Sequence, residues 1–394
     1  MALSRRGIVL AGLIIVAALA LSATTTGQAA SKTVDVWVFD DVGAAGTGNV
    51  TPYDGAASAA KSINAKGGLS GSQIAVIRCS TKTDVNVART CAQKATADKK
   101  AIAVISLSQI GAATYDPILT QAKLPLVKVF AGGQEGTSPI SFPLDGAAFQ
   151  LLGSLGYAYN KLGAKKIYMV LGDFGPVSDQ FLGLGDAIMK TSTHGVGLTG
   201  SVKIPPTATD VTPYVQQALN SKADAIGAFL FEPTFIQFYR AYKQAGGTAT
   251  VLCGGCGGAI PQLGKLADGV LPVLNALPST AKSKAVTQYI SDMTKYGPKR
   301  AGILDSGPAT FGWSAMKLLQ TALKGSTTVN RAQTLKKLGS LNNAPAGLYA
   351  NFTTTKPFTG LGGSLPRIFN TTVMIGVARD GKVYPKTGFF NWNS

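Results

Sequence analysis

Ser62-Ile63-Asn64-Ala65-Lys66-Gly67-Gly68-Leu69-Ser70-Gly71 lies between a run of small residues, Ala56 to Ala60, and an apolar run, Ile74 to Ile77. Alanines spaced along Tyr53 to Lys66 suit a helix packed close against a neighbour. Gly67-Gly68 can take the positive φ that ends it, and Ser70-Gly71 can turn the chain into a strand. Upstream, Val34 to Phe39 reads as a buried strand, joined to the helix by the glycine-rich loop Asp40 to Asn49. Strand, loop, helix, glycine stop and strand make the unit of an open α/β sheet, which binds ligands at the carboxyl ends of its strands.

Ile63-Asn64-Ala65-Lys66-Gly67-Gly68-Leu69-Ser70-Gly71 after a small-residue helix, followed by Cys79 and Cys91, resembles the type I periplasmic solute-binding proteins of ABC transporters, particularly their leucine/isoleucine/valine receptors. The resemblance runs over nearly the whole mature chain. It implies an α/β, two-lobed periplasmic-binding-protein type I fold, each lobe a largely parallel sheet flanked by helices, with three hinge crossings. It implies a small-molecule ligand, a membrane permease as partner, a monomer, no cofactor and no catalysis.

With 394 residues, 45% of them hydrophobic and 14% charged, the chain can bury a substantial core and is long enough for two domains. Arg5-Arg6, the apolar run Ile8 to Leu21 and small residues through Ala30 have the zones of a secretory signal peptide, read as residues 1–30. The arginine pair resembles a twin-arginine signal, but such pairs are common in general export signals too. No cysteine follows the apolar run, so a periplasmic or freely secreted protein without a lipoprotein anchor is expected.

Formal net charge is +18, yet the lysines are scattered singly and in pairs, without the aromatic interleaving of a nucleic-acid groove. A solvated basic surface is the expected reading, with no nucleic-acid partner. Cys79 and Cys91 flank a short strand-to-helix connection, and Cys253 and Cys256 form a second local pair; export makes disulfides available to both. A four-cysteine zinc site is disfavoured, because the spacing is unlike a zinc ribbon and only one histidine exists.

Periodicity then predicts helix 87–98, strand 101–107, helix 117–123 and strand 124–130, a repeating βα pattern. It breaks near Pro139 to Asp145 and resumes with helices over 147–162, 179–190, 211–220 and 234–245, alternating with strands 167–171, 200–204, 225–231 and 250–253. A non-helical passage spans Val270 to Pro278. Helices 281–296, 309–324 and 331–338 follow without strong strands between them and are expected to cover the first lobe. The tail, Pro357 to Trp392, is strand-rich. The expected lobes are 31–142 with 276–350, and 143–275 with 351–394.

Enzymatic chemistry finds little support. His194, the sole histidine, sits in a predicted exposed loop. Leu304-Asp305-Ser306-Gly307-Pro308 lacks a positioned base, and helix capping by Asp305 or Ser306 explains it. The loop Gly43 to Gly48 has neither the Gly-x-Gly-x-x-Gly order nor a Gly-Lys-Ser/Thr sequence. An exported hydrolase is the weaker alternative, and a ligand sensor of the same fold without a transporter is a third reading.

Polar residues gather instead at strand ends: Ser106, Ser108 and Gln109, then Ala131, Gly132 and Gln134. The resemblance implies that Ser108, Gln109 and Gly132, with neighbouring Ala131, hold a ligand carboxylate, that Phe174 and Phe231 sandwich an apolar portion, and that Glu232 takes a cation. Two departures stand out. Cys253-Gly254-Gly255-Cys256-Gly257 occupies the loop where branched-chain amino-acid receptors place a carboxylate against the ligand ammonium, so either Glu232 or Glu135 substitutes for it or the ligand has no ammonium. Thr47-Gly48-Asn49 is small and polar where an aromatic is frequent, leaving volume beside Asn49 for a ligand larger than leucine.

Overall fold

The structure is a computed structural model that describes residues 32–43, 51–108, 111–129, 136–146, 148–300, 302–359 and 365–391. The first half alternates β1 (Thr33–Asp40), α1 (Pro52–Asn64), β2 (Gln73–Ser80), α2 (Val85–Ala97), β3 (Ala101–Ser106), α3 (Ala112–Gln121), β4 (Leu126–Lys128) and β5 (Ser141–Pro143). These strands form one wholly parallel sheet in the order β2-β1-β3-β4-β5. β3 is buried at every residue, as a central strand covered on both faces must be.

The second sheet begins after α4 (Ala148–Leu162) with β6 (Ile167–Gly172), α5 (Pro176–Ser192), β7 (Gly200–Ile204), α6 (Thr212–Asn220), β8 (Ala225–Phe229), α7 (Glu232–Gln244), β9 (Thr250–Gly254), the short α8 (Ala259–Leu263) and β10 (Leu271–Leu274). The chain then supplies α9 (Lys284–Tyr296), α10 (Gly307–Leu323), α11 (Arg331–Leu338) and the hairpin β11 (Ala344–Ala346) and β12 (Tyr349–Phe352), all packed into the first sheet's core. It ends with β13 (Thr372–Arg379), β14 (Lys382–Pro385) and β15 (Phe390–Asn391) on the second sheet. That sheet is mixed: its order is β14-β13-β10-β9-β8-β6-β7, with β13 antiparallel to β10 and β15 also paired to β13. The chain thus passes between the two lobes three times, after β5, after β10 and after β12.

The opening motif works through its side chains as well as its glycines. Gly67 and Gly68 take φ of 98° and 77°, and the Gly68 N–H donates to the Ile63 carbonyl at the end of α1. Asn64 acts as a surrogate peptide group: its amide donates to the Ile74 carbonyl and its oxygen accepts from the Ile74 N–H, both at 2.9 Å. Ser70 reaches the Leu323 carbonyl of α10 at 2.7 Å, so the turn is tied to a helix more than 250 residues later.

Several elements differ from the periodic reading. β5 and β10 lie inside passages read as breaks; runs of three and four residues are too short to display a period of two. α3 starts at Ala112, well before Pro117, which sits inside the helix. Ser306 stands at the N-cap of α10 without a side-chain capping bond, while the Asp305 carboxylate accepts the Ser279 N–H at 3.1 Å.

α1 and α10 approach backbone to backbone. A Cβ on Gly312 would sit 1.9 Å from the Pro52 carbonyl oxygen, and one on Gly55 would sit 2.0 Å from that of Ala309. Neither obstacle is a side chain that can turn away, so Gly312→Ala is expected to lower stability by about 2–4 kcal/mol. Gly183→Ala, in α5 with nothing within 4 Å of the added Cβ, acts the other way. It removes unfolded-state entropy and should gain about 0.4–1 kcal/mol. Denaturant unfolding of both variants beside the parent reads the two signs.

Candidate ligand cleft

The carboxyl ends of the strands define two walls. In the first lobe, Ser108 lies two residues past β3 and is fully buried; its hydroxyl donates to the Asp41 carboxylate at 2.7 Å. The Thr81 hydroxyl, just past β2, bonds to the same carboxylate oxygen and lies 3.0 Å from the Ser108 hydroxyl. Tyr115 of α3 closes the network: its hydroxyl donates to the Ser108 carbonyl at 2.8 Å and sits 3.1 Å from Ser106 Oγ. Behind it Lys128, the last residue of β4, is fully buried with its ammonium 5.4 Å from the centre of the Tyr115 ring.

Asp40 ends β1 on the other side of this floor. Its carboxylate accepts from Arg78 Nε at 2.8 Å and from the Val42 N–H at 3.3 Å. Burial raises its pKa, and the Arg78 guanidinium opposes that shift without cancelling it. Asn49, Gln109, Ala131 and Gly132 lie outside the described residues.

The second wall is apolar. Phe174 and Phe231 are 43% and 50% exposed, and their rings meet edge to face with centroids 5.2 Å apart. Phe174 follows β6 and folds back over Gly172, where a Cβ would meet its ring at 2.5 Å. Ser178 holds that turn, donating to the Gly172 carbonyl at 2.7 Å and accepting the Phe174 N–H at 2.8 Å. Phe231 precedes α7, and Glu232 opens that helix, where the partial positive charge of the helix start favours an anion.

Glu232 Oε1 accepts from Gln262 Nε2 of α8 at 2.7 Å. Its other oxygen lies over Gly258, only 2.3 Å from where a Cβ would stand. Burial raises the pKa of Glu232, partly offset by the Gln262 hydrogen bond. Next to Gly258 the loop is tied back on itself: the Cys253 and Cys256 sulfurs are paired, with Cα atoms 5.8 Å apart, as are those of Cys79 and Cys91. Gly257 approaches the other lobe, its Cβ position 2.8 Å from the Asp305 carbonyl oxygen.

The crossings are bound side by side. Asn275 donates to the Asp145 carboxylate, and Asn370 donates to the Leu144 carbonyl at 2.9 Å. Arg367 grips Ser141 through two bonds to its carbonyl, at 2.9 and 2.7 Å, with its guanidinium over the rings of Phe142 and Phe369 at 4.7 and 4.6 Å. Burial lowers the Arg367 pKa to about 10, which leaves it charged at neutral pH. Tyr349 beside them is buried, and burial together with the nearby Asp145 carboxylate keeps its phenol protonated.

Structure thus brings Phe174, Phe231 and Glu232 together on one wall and places Ser108 in the buried floor of the other. Strand-end reasoning passed over Asp41, Thr81 and Gln262. Asp41 and Thr81 were open to the same rule, since each directly follows an apolar strand. Gln262 carried no local signal, because α8 is too short to show periodicity.

The profile of the family described as Periplasmic binding protein matches residues 36–361, and the chain belongs to that family. Its members bind solutes and are not enzymes. Among solved structures, the leucine-binding protein LivK of Thermotoga maritima superposes with TM-score 0.68 at 16% identity, covering 91% of this chain and 99% of that one. A solute-binding protein from R. palustris in complex with 4-hydroxybenzoate gives 0.72 at 17% identity, covering 91% and 97%. The branched-chain amino acid substrate-binding protein LivJ of Streptococcus pneumoniae, in complex with isoleucine, gives 0.71 at 17%, covering 89% and 98%. No curated protein sequence matches the chain significantly.

Arg78→Ala should destabilise the protein by about 1–3 kcal/mol at neutral pH, leaving Asp40 buried without its cation. The Asp40 pKa then rises further above its unfolded value, so the folded state binds more protons than the unfolded one across that interval. Stability of the variant falls as pH rises through the folded pKa, and its deficit shrinks towards about pH 4. Thermal unfolding of parent and variant at both pH values tests this; an equal deficit at both would refute it.

Proposed function

We propose that the protein is the extracytoplasmic solute receptor of an ABC importer, exported through a signal peptide spanning residues 1–30. It closes on a small amphipathic ligand between lobe 1 (31–142 with 276–350) and lobe 2 (143–275 with 351–394), then delivers it as a monomer to a membrane permease. The observation that carries this reading is the exposed, edge-to-face pair Phe174 and Phe231 at the carboxyl end of the second sheet, in a body whose lobes are joined by three crossings. Two large rings half open to water are an apolar surface awaiting a cover, and a ligand touching both lobes favours the closed state because only there are all its contacts made.

The ligand has an apolar or aromatic body that packs on the two rings. Its polar end meets the first-lobe loops that contain Asn49, Ser108, Gln109, Ala131 and Gly132. The Ser108 hydroxyl, already committed to Asp41, acts here as a support for its loop. Glu232 faces a cationic or hydrogen-bond-donating group, taking the role that the Cys253–Cys256 loop has no carboxylate to fill. Both cysteine pairs form disulfides after export, the second fixing the glycine loop on which Glu232 leans.

Native mass spectrometry of protein purified without denaturation should show a copurifying small organic molecule larger than leucine. Each of Phe174→Ala and Phe231→Ala should weaken binding of that molecule by roughly 30-fold, equivalent to about 2 kcal/mol of lost aromatic burial. Unchanged affinity in both variants, measured by calorimetry, would exclude this wall as the site. Leucine as the tightest ligand in a titration panel would exclude the larger-ligand reading.

A further inference from the structure

We propose that Asp41 is a specificity-determining residue of the cleft: its carboxylate stands where an acidic solute's own carboxylate would bind. The cleft therefore takes solutes whose polar end donates hydrogen bonds and carries no carboxylate, amines and primary amides among them. This deepens the reading of the cleft as a solute site and rests on it. The family resemblance implies that Ser108 helps to hold a ligand carboxylate, and in the structure its hydroxyl already holds one. Ser108 donates to Asp41 Oδ1 at 2.7 Å, the Thr81 hydroxyl donates to the same oxygen, and the two hydroxyls lie 3.0 Å apart. A hydroxyl has one proton to give, and both protons go to Asp41. What the pair keeps is lone pairs, which a carboxylate cannot use and a donor can.

The main chain on each side of Asp41 is tied to the end of β2, which opposes its swinging aside. The Thr81 N–H donates to the Asp40 carbonyl at 2.7 Å, and the Ser80 hydroxyl donates to the Val42 carbonyl at 2.6 Å. Thr81 and Ser108 are fully buried whereas Asp41 is partly exposed, so a solute meets Asp41 before it meets the hydroxyls. A carboxylate arriving there would face a like charge at hydrogen-bonding distance with no proton between them. The Arg78 guanidinium bonds to Asp40 at 2.8 Å, and the Tyr115 hydroxyl donates to the Ser108 carbonyl at 2.8 Å, so both are spent within the floor.

On the opposite wall Glu232 is again an acceptor, with one oxygen taking Gln262 Nε2 at 2.7 Å. With acceptors on both walls, the protons have to come from the solute. The chain as a whole carries a net charge of +18, a field that draws anions in from solution. Rejection of acids must then be built at the site itself, by an element that opposes the wrong partner as well as ones that suit the right one.

The test is calorimetric titration with three solutes that share a phenyl ring and a short chain and differ at the head: phenylpropylamine, hydrocinnamamide and hydrocinnamate. The parent should bind the amine and the amide at least about ten-fold more tightly than the acid, the weight of one hydrogen bond to a charged group. Asp41→Ala, which releases both hydroxyls, should bind the acid roughly ten-fold more tightly than the parent does, and adding Ser108→Ala should remove that gain. Asp41→Asn keeps an acceptor over the hydroxyls and removes only the charge. It should gain less for the acid than Asp41→Ala, and it carries the test if Asp41→Ala does not fold. The inference is overturned if the parent binds the acid as tightly as the amide, if neither Asp41 variant gains affinity for the acid, or if the parent binds none of the three. Phe174→Ala and Phe231→Ala separate this from the underlying reading. If they weaken all three solutes while the parent still accepts the acid, the cleft stands and the role of Asp41 falls; if they change no affinity, the cleft reading fails and takes this inference with it.

Discussion

Contact between the backbones of α1 and α10 is the constraint from which the architecture follows. A parallel sheet must be covered on both faces, and the first half of the chain supplies only α1, α2 and α3 before it leaves for the second lobe. The missing cover comes from α9 and α10, and α10 fits only because Gly55 and Gly312 let main chain meet main chain. Once α10 is required on the first sheet, the chain has to cross, return and cross again. The hinge is a consequence of how that sheet is buried.

The two walls solve different problems. The first is a floor of buried polar groups, Asp41, Thr81, Ser108 and Tyr115, that satisfy one another. The second offers exposed rings and a carboxylate already steered by Gln262. Under the proposed function, a polar support and an apolar clamp would discriminate by shape and by the position of a few polar atoms. Glycine does local work on the second wall: Gly172 and Gly258 leave the space that the Phe174 ring and the Glu232 carboxylate occupy.

At the crossings, rigidity comes from side chains gripping main chain. Arg367 and Asn370 bind carbonyls at and just past β5, and Asn275 binds Asp145 next to them, so three separate stretches behave as one bundle. Under the proposed function, motion between lobes would be rotation about this bundle, with a ligand's contacts to both walls converting into closure.

The alternation of strand and helix, the glycine stop after α1 and the two cysteine pairs were legible in the sequence because each depends on neighbours within about a dozen residues: a period, a positive φ, a short loop. Phe174, Phe231 and Glu232 were legible as a set for a related reason, since parallel strands put their following loops on one edge. Tertiary structure alone decided the rest. β5 and β10 exist because partner strands pair with them, not because three or four residues prefer it. Whether the Ser108 hydroxyl is offered to a ligand or committed to Asp41, 67 residues away, depends on a contact that no local pattern encodes. Side-chain periodicity records which face of an element is buried; it carries no record of which distant group lies against that face.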